Sequence, residues 1–235
     1  MNGIGEVFTY RKQDSVNKGY GFYDPTKVFT TVDVNGKVKV DGSLSKIVKE
    51  KIIDDNTVII GGKTYHTVQI GNLIWTVENL ELVLSYIPIG SEGNPTTPAA
   101  WYYDDDESKG WGLLYNQYCL NTISTYLTNN NIDFRIPSNT DWENLKTEIE
   151  NEAIKVKTVE YWSAKPGTNE TGLSIVPGGR RTSTFYSLNN IGFYWSFDTD
   201  GSNGVEYHFS YNNDGVLNGT QAKSWAASIR LVKNA

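Results

Sequence analysis

The chain has 235 residues, 38% of them apolar and 13% aromatic; at roughly 100–200 residues per domain that leaves room for one sizeable domain and something smaller. The net charge is −6 and the 21 Lys and Arg form no basic block, which argues against a nucleic-acid partner, because phosphate-backbone binding needs clustered positive charge. The single cysteine, Cys119, excludes an internal disulfide, and no apolar run is long enough to span a bilayer.

Residues 1–56 read as a small β-rich segment. Met1 to Glu6 lacks the basic and apolar regions of a signal peptide. Thr30-Thr31-Val32-Asp33-Val34 and Lys37-Val38-Lys39-Val40 flank Asn35-Gly36, a hairpin signal because both turn residues tolerate positive φ. Ser43 to Ile53 suits a short helix capped by Ser43 or Ser45, and Asp54-Asp55-Asn56 reads as a linker. The segment is too small and polar for a large core of its own. It is expected to attach the chain to a larger assembly and to hold a homo-oligomer together.

A second hairpin follows, Thr57 to Ile60 and Thr64 to Ile70 around Gly61-Gly62-Lys63. From Asn79 to Gly110 the chain reads as a long irregular stretch rich in Gly, Pro and acids. Tyr115, Tyr118, Cys119, Thr122, Ile123 and Tyr126 recur at helical spacing and predict a first helix. A second helix is predicted from Ser138-Asn139-Thr140-Asp141. Thr140 with Glu143, or Ser138 with Asp141, makes a capping box, and Trp142, Leu145, Ile149 and Ala153 form the apolar stripe. Beyond Lys157 strands and turns dominate. Val205, Tyr207, Phe209 and Tyr211 alternate with Glu206, His208 and Ser210 as in a half-buried strand, Asp214-Gly215 turns the chain into Val216-Leu217, and a last strand is expected over Ala226 to Val232.

Six blocks in this order resemble one family. Val68-Gln69-Ile70-Gly71-Asn72-Leu73-Ile74-Trp75-Thr76-Val77-Glu78-Asn79-Leu80 resembles the opening motif of the Fibrobacter succinogenes major paralogous domain. Gly112 to Asn116, Phe134 to Ser138 with Asp141-Trp142 and Leu145, Gly172-Leu173-Ser174 with Pro177-Gly178-Gly179-Arg180, Gly192 to Ser196, and Ser228 to Lys233 are similar to its later blocks. The resemblance spans roughly residues 57–234. It implies an α+β, C-type-lectin-like domain over 57–235, with two helices, small antiparallel sheets, paired terminal strands and a face of long loops. It also implies a setting on surface or secreted proteins of Bacteroidetes, while some related lectin-like domains sit on phage virions.

Enzyme chemistry finds little purchase. His66, His208 and Cys119 lack zinc spacing, and Cys119 sits on the apolar face of the first helix, where an inert thiol is expected. Gly61-Gly62-Lys63-Thr64 echoes the end of a P-loop, but Thr57 stands where its first glycine is required, and no Gly-x-Ser-x-Gly elbow occurs. A novel enzyme site would need titratable groups converging near Arg180 and Asp198. Asp104 and Asp106 in an acidic loop run, and Asp198 and Asp200 around Gly201, are candidate calcium ligands, with plain solvated carboxylates as the alternative. The sugar-binding calcium motifs of true C-type lectins are absent.

Residues 182–223 carry Tyr, Asn, Ser and Gly in the proportions of an evolved binding surface. Tyr186, Asn189, Tyr194, Tyr207, Tyr211 and Asn212, extended by Trp101, are the candidate ligand-binding residues; a plain half-exposed sheet is the alternative. Trp75, Trp142 and Trp195 are expected in the core. The expectation is therefore a non-enzymatic display or adhesion protein binding a cell-surface glycan or protein. Its expected place is the virion surface, as a phage head or tail fibre component attached through residues 1–56. A bacterial surface or secreted binding protein and a purely structural virion decoration are the alternatives.

Overall fold

The computed structural model describes residues 23–24, 27–32, 38–40, 56–109 and 111–235. The chain divides into two compact units, Met1–Asp55 and Asn56–Ala235. In the first, β1 (Tyr23–Asp24), β2 (Lys27–Val32) and β3 (Val38–Val40) form an antiparallel sheet in that order. Val32 stands opposite Val38, one residue out of the register that a two-residue turn at Asn35-Gly36 would give, and residues 33–37 themselves lie outside the described residues. The helix expected over 43–53 and linker residues 54 and 55 lie outside the described residues.

The second unit opens with a meander of β4 (Thr57–Ile60), β5 (Lys63–Ile70) and β6 (Leu73–Thr76). Gly61 and Gly62 take φ of 60° and 84°, so Ile60 pairs with Lys63 across a two-residue turn that only residues tolerant of positive φ can make. After β7 (Ala100–Trp101) and β8 (Leu114–Asn116) come helices α1 (Cys119–Asn129) and α2 (Asn139–Glu148). The rest is strand and loop: β9 (Gly178–Arg181), β10 (Phe185–Leu188), β11 (Ile191–Asp200), β12 (Asn203–Ser210), β13 (Leu217–Ala222), β14 (Ala226–Ala227) and β15 (Val232–Asn234). Among the described residues no helix is long and apolar enough to cross a membrane.

Two sheets result. The smaller runs β15-β6-β5-β4, so the end of the chain pairs with the start of the unit, Val232 opposite Trp75. The larger runs β13-β12-β11-β9-β14-β8-β7, with β10 folded onto β9. The strand expected over Ala226 to Val232 is broken in two because the chain changes sheets there. Ser228 bonds to Phe193 and Trp195 of the large sheet, whereas Leu231 accepts from Thr76 of the small one.

α2 starts as one of its two possible registers predicts. The Ser138 hydroxyl accepts from the Asp141 amide and the Asp141 carboxylate accepts from the Ser138 amide. Arg135 pins the same carboxylate. Burial works to raise the Asp141 pKa, yet the bonds from Arg135 and Ser138 hold it below the ordinary value. Trp142 then enters an aromatic core, stacked on Tyr207 at 5.4 Å and tilted against Trp75 at 4.9 Å, with Tyr194 and Phe209 beyond. Trp75, Trp142 and Trp195 are all fully buried.

Two expectations are corrected. Tyr115 lies not on α1 but in β8, buried, where its hydroxyl accepts from the Leu82 amide at 2.6 Å and returns a bond to the Leu82 carbonyl. The β11–β12 ribbon is not half exposed. Tyr194, Val205, Tyr207 and Phe209 pack on the α2 side, while Phe193 and Trp195 pack with α1 residues on the other. The polar partners of the β12 alternation are covered as well: Glu206 is 1% exposed.

Candidate functional site

On the face of the large sheet away from α2, Arg180 of β9 and Glu206 of β12 form a buried ion pair, Nη2 to Oε1 at 2.9 Å. The position of β9 depends on Gly179, whose φ of 66° is left-handed. A Cβ there would lie 2.6 Å from the Tyr186 carbonyl oxygen, so glycine lets β10 fold onto β9 and set Tyr186 opposite Arg180. His208, two residues along β12 and so on the same face, brings Nδ1 to 3.7 Å from Glu206 Oε1. Gln221 of β13 donates to the same oxygen at 3.3 Å.

Aromatic rings enclose the guanidinium. Its carbon lies 3.4 Å from the centroid of Phe193, 5.2 Å from Trp225 and 5.7 Å from Tyr186. Tyr186 stands at the exposed edge and Trp225 is half-buried. Arg180 Nε and Nη1, Glu206 Oε2 and His208 Nδ1 are buried without a hydrogen-bond partner. Each such orphan costs roughly 1–3 kcal/mol, so four at one place form a strongly unsatisfied spot. The electrostatics agree: burial pushes the Glu206 carboxyl up to about 7 against the pull of Arg180. Burial holds Arg180 below its ordinary value, and burial with the Arg180 charge does the same to His208. Unpaired buried donors and acceptors thus lie side by side, next to the rings that surround Arg180.

The residues expected to bind ligand divide. Tyr186 and Asn189 are exposed, Asn189 in a turn at φ 62°. Asn212 is exposed and accepts from the Ser210 hydroxyl, and Tyr211 is half-buried against the α2 core. Tyr194, Tyr207 and Trp101 are corrected: all are buried and turn no face to solvent. The Tyr194 hydroxyl is spent on the Val176 backbone and that of Tyr207 on Glu143 at 2.9 Å, while Trp101 donates to the Ser91 carbonyl beneath Arg181.

Of the candidate calcium ligands, Asp104 pairs with Lys109 at 2.9 Å and Asp106 accepts the amide and hydroxyl of Ser108. Asp198 accepts the Asn139 amide at the start of α2 at 2.6 Å, and Asp200 is exposed at the β11–β12 turn. Among the described residues no three His, Cys, Asp or Glu side chains are grouped as a metal site would need. The convergence of titratable groups sought near Arg180 and Asp198 is found at Arg180, and its members are Glu206 and His208. Sequence reasoning weighed His208 only as a zinc ligand and did not single out Glu206. The available signal was that they fall two residues apart on one strand, the spacing that puts both on one face.

No curated protein and no solved structure matches the chain. The family model of the Fibrobacter succinogenes major domain matches residues 68–233, from the end of β5 into β15 and across all the elements that build the cluster. The chain belongs to the Fibrobacter succinogenes major domain family.

Proposed function

We propose that residues 57–235 form a C-type-lectin-like recognition domain of a non-enzymatic display protein, one that binds a cell-surface glycan or protein at the Arg180–Glu206–His208 cluster. The observation that carries this reading is the set of four orphaned polar atoms beneath the Tyr186–Trp225 rim. Two helices, antiparallel sheets and the pairing of β6 with β15 support the lectin-like assignment. In this reading residues 1–56 attach an oligomer to a phage head or tail fibre, a setting that suits a chain with no cysteine pair. A bacterial surface protein would use the same face.

The test is a glycan array with whole-cell pull-down, run with calcium and with EDTA, on the full chain and on Tyr186→Ala and Trp225→Ala. The reading expects binding in the parent and its loss in both variants at unchanged melting temperature. Binding that survives both substitutions, or no binding by the parent, refutes it. A second reading, acid–base catalysis, draws on Glu206 near neutrality beside His208. It is separated from the first by release of product from a bound glycan.

A further inference from the structure

A cavity of about 350 Å³ opens at a different place, between the β4–β5 hairpin and the segment that leads into β8. Its size lies at the small end of the range for ligand pockets, roughly 300–1,000 Å³. Trp111, Val77 and Val176 supply its apolar walls, and Glu78, Asn79 and Arg230 are among its polar ones. Gly112 shapes one side: at φ 83° a Cβ would meet the Leu80 and Asn79 carbonyl oxygens at 2.8 and 2.9 Å. Only glycine therefore lets the chain after Trp111 lie against this backbone.

The lining charges cancel. Lys63 and Arg230 are matched by Glu78 and Glu81, which also line the cavity. Arg230 is 1% exposed, and its hydrogen bonds run to neutral oxygens: Asn79 Oδ1 at 2.7 Å and the carbonyls of Thr76, Leu173 and Ser174. A free anion would meet the two carboxylates, and a free cation would meet the guanidinium and the ammonium. A wholly apolar guest would bury those charges without new bonds, at a cost of several kcal/mol. A neutral guest with hydroxyl groups avoids all three penalties. Hydrogen-bonding capacity remains for it. Glu78 binds His66 Nδ1 at 2.6 Å and the His66 amide at 2.8 Å, which leaves about half of its acceptor positions. Lys63 gives one of its donors to Glu81.

Trp111 gives the cavity an aromatic wall. Trp111 is half-buried, and Tyr161, 54% exposed, lies against it with ring centroids 5.3 Å apart. Tyr161 sits at φ 76°, a conformation a bulky side chain adopts only under strain, and its ring meets Trp111 outside the cavity lining. From the cancelled charge, the open donors and acceptors and the Trp111 ring in the wall, we propose that this cavity is a second ligand site, separate from the Arg180 cluster, that takes a neutral pyranose lying on Trp111.

The experiment is saturation-transfer NMR on the full chain with the methyl glycosides of glucose, galactose, mannose, xylose and N-acetylglucosamine. Each is used at about 10 mM, enough to populate a site with a Kd of order 1 mM. At least one glycoside is expected to receive saturation at its ring protons. Its Kd should rise at least about tenfold in Trp111→Ala, and less in Glu78→Gln, a milder change that covers the case of a misfolded tryptophan variant. Tyr186→Ala should leave it unchanged. No transfer to any of the glycosides overturns the proposal, as does a Kd left unchanged by Trp111→Ala. Transfer lost in Tyr186→Ala but kept in the cavity variants assigns the sugar to the Arg180 cluster and overturns it too.

Discussion

Replacing Glu206 by Gln keeps the shape of the side chain and an acceptor for Arg180 while removing the ionisable group. A carboxyl whose pKa is higher in the folded chain than in the unfolded one holds its proton more tightly in the native state. Its contribution to stability is therefore complete below 4.5 and is lost as the pH rises through about 7. At about 1.4 kcal/mol per pH unit, a rise from 4.5 to about 7 corresponds to roughly 3 kcal/mol. His208 works in the opposite sense. Its pKa is held below 6.5, so its contribution is present at high pH and fades as the pH falls. The parent alone thus shows a partly cancelled profile, and the quantity to measure is the difference between parent and Glu206→Gln. Urea unfolding followed by tryptophan fluorescence at steps from about pH 4 to about pH 8 gives both curves. The parent should lose roughly 3 kcal/mol relative to the variant across that range, and the variant alone should gain stability toward neutral pH as the His208 contribution emerges. The constant offset between the curves carries the altered Arg180 contact; only its change with pH reports the buried carboxyl. A difference flat to within about 0.5 kcal/mol would mean that Glu206 ionises as it does in the unfolded chain, and the unsatisfied cluster would lose its electrostatic basis.

Trp142→Ala empties the centre of the α2 core and should destabilise the chain by about 3–5 kcal/mol in urea unfolding. Ser138→Ala removes the cap of α2 and should cost about 1 kcal/mol by the same assay. Gly167→Ala sets a Cβ 1.8 Å from the Lys157 carbonyl oxygen, a clash with backbone that side-chain rotation cannot relieve; a loss beyond the usual ~1–3 kcal/mol of overpacking should appear as a lowered thermal midpoint. Cys119 is fully buried, and burial pushes its thiol up to about 12, so it should resist a disulfide-exchange reagent at neutral pH in the native chain and react fully in denaturant.

Local signals carried most of the scaffold. The Gly61-Gly62 turn, the Ser138–Asp141 cap and the Trp142 and Leu145 positions of the stripe depend on neighbours within a few residues and are present; α2 ends at Glu148, so Ile149 is buried as its cap and Ala153 from a separate turn. Pairings between distant segments were less legible. Nothing near Tyr115 announces that its partner is Leu82, and nothing near Ser228 announces that the chain leaves one sheet for the other. Strand periodicity shows that Glu206 and His208 share a face, but not that β9 and β10 lie across it. The site was therefore half visible: Tyr186 was picked out by composition, whereas the charged centre it covers needed the sheet order.

Tyrosine abundance was the ambiguous part of the sequence, because the same side chain serves a core and a contact surface. The structure resolves it by the faces of one ribbon. Tyr194 and Tyr207 meet the aromatic side of α2 and become core, and the opposite face is closed by Phe193, Trp195 and the Arg180–Glu206 pair. In the proposed reading, the contact surface that composition spread over seven candidates centres on Tyr186, Trp225 and the polar atoms of the Arg180 cluster. Binding concentrated in so few groups predicts a steep response to single substitutions at that rim and almost none at Asn212. A broad paratope would instead lose affinity in small, similar steps at every exposed tyrosine and asparagine of the face, so the distribution of effects tells a small unsatisfied pocket from an extended adhesive sheet.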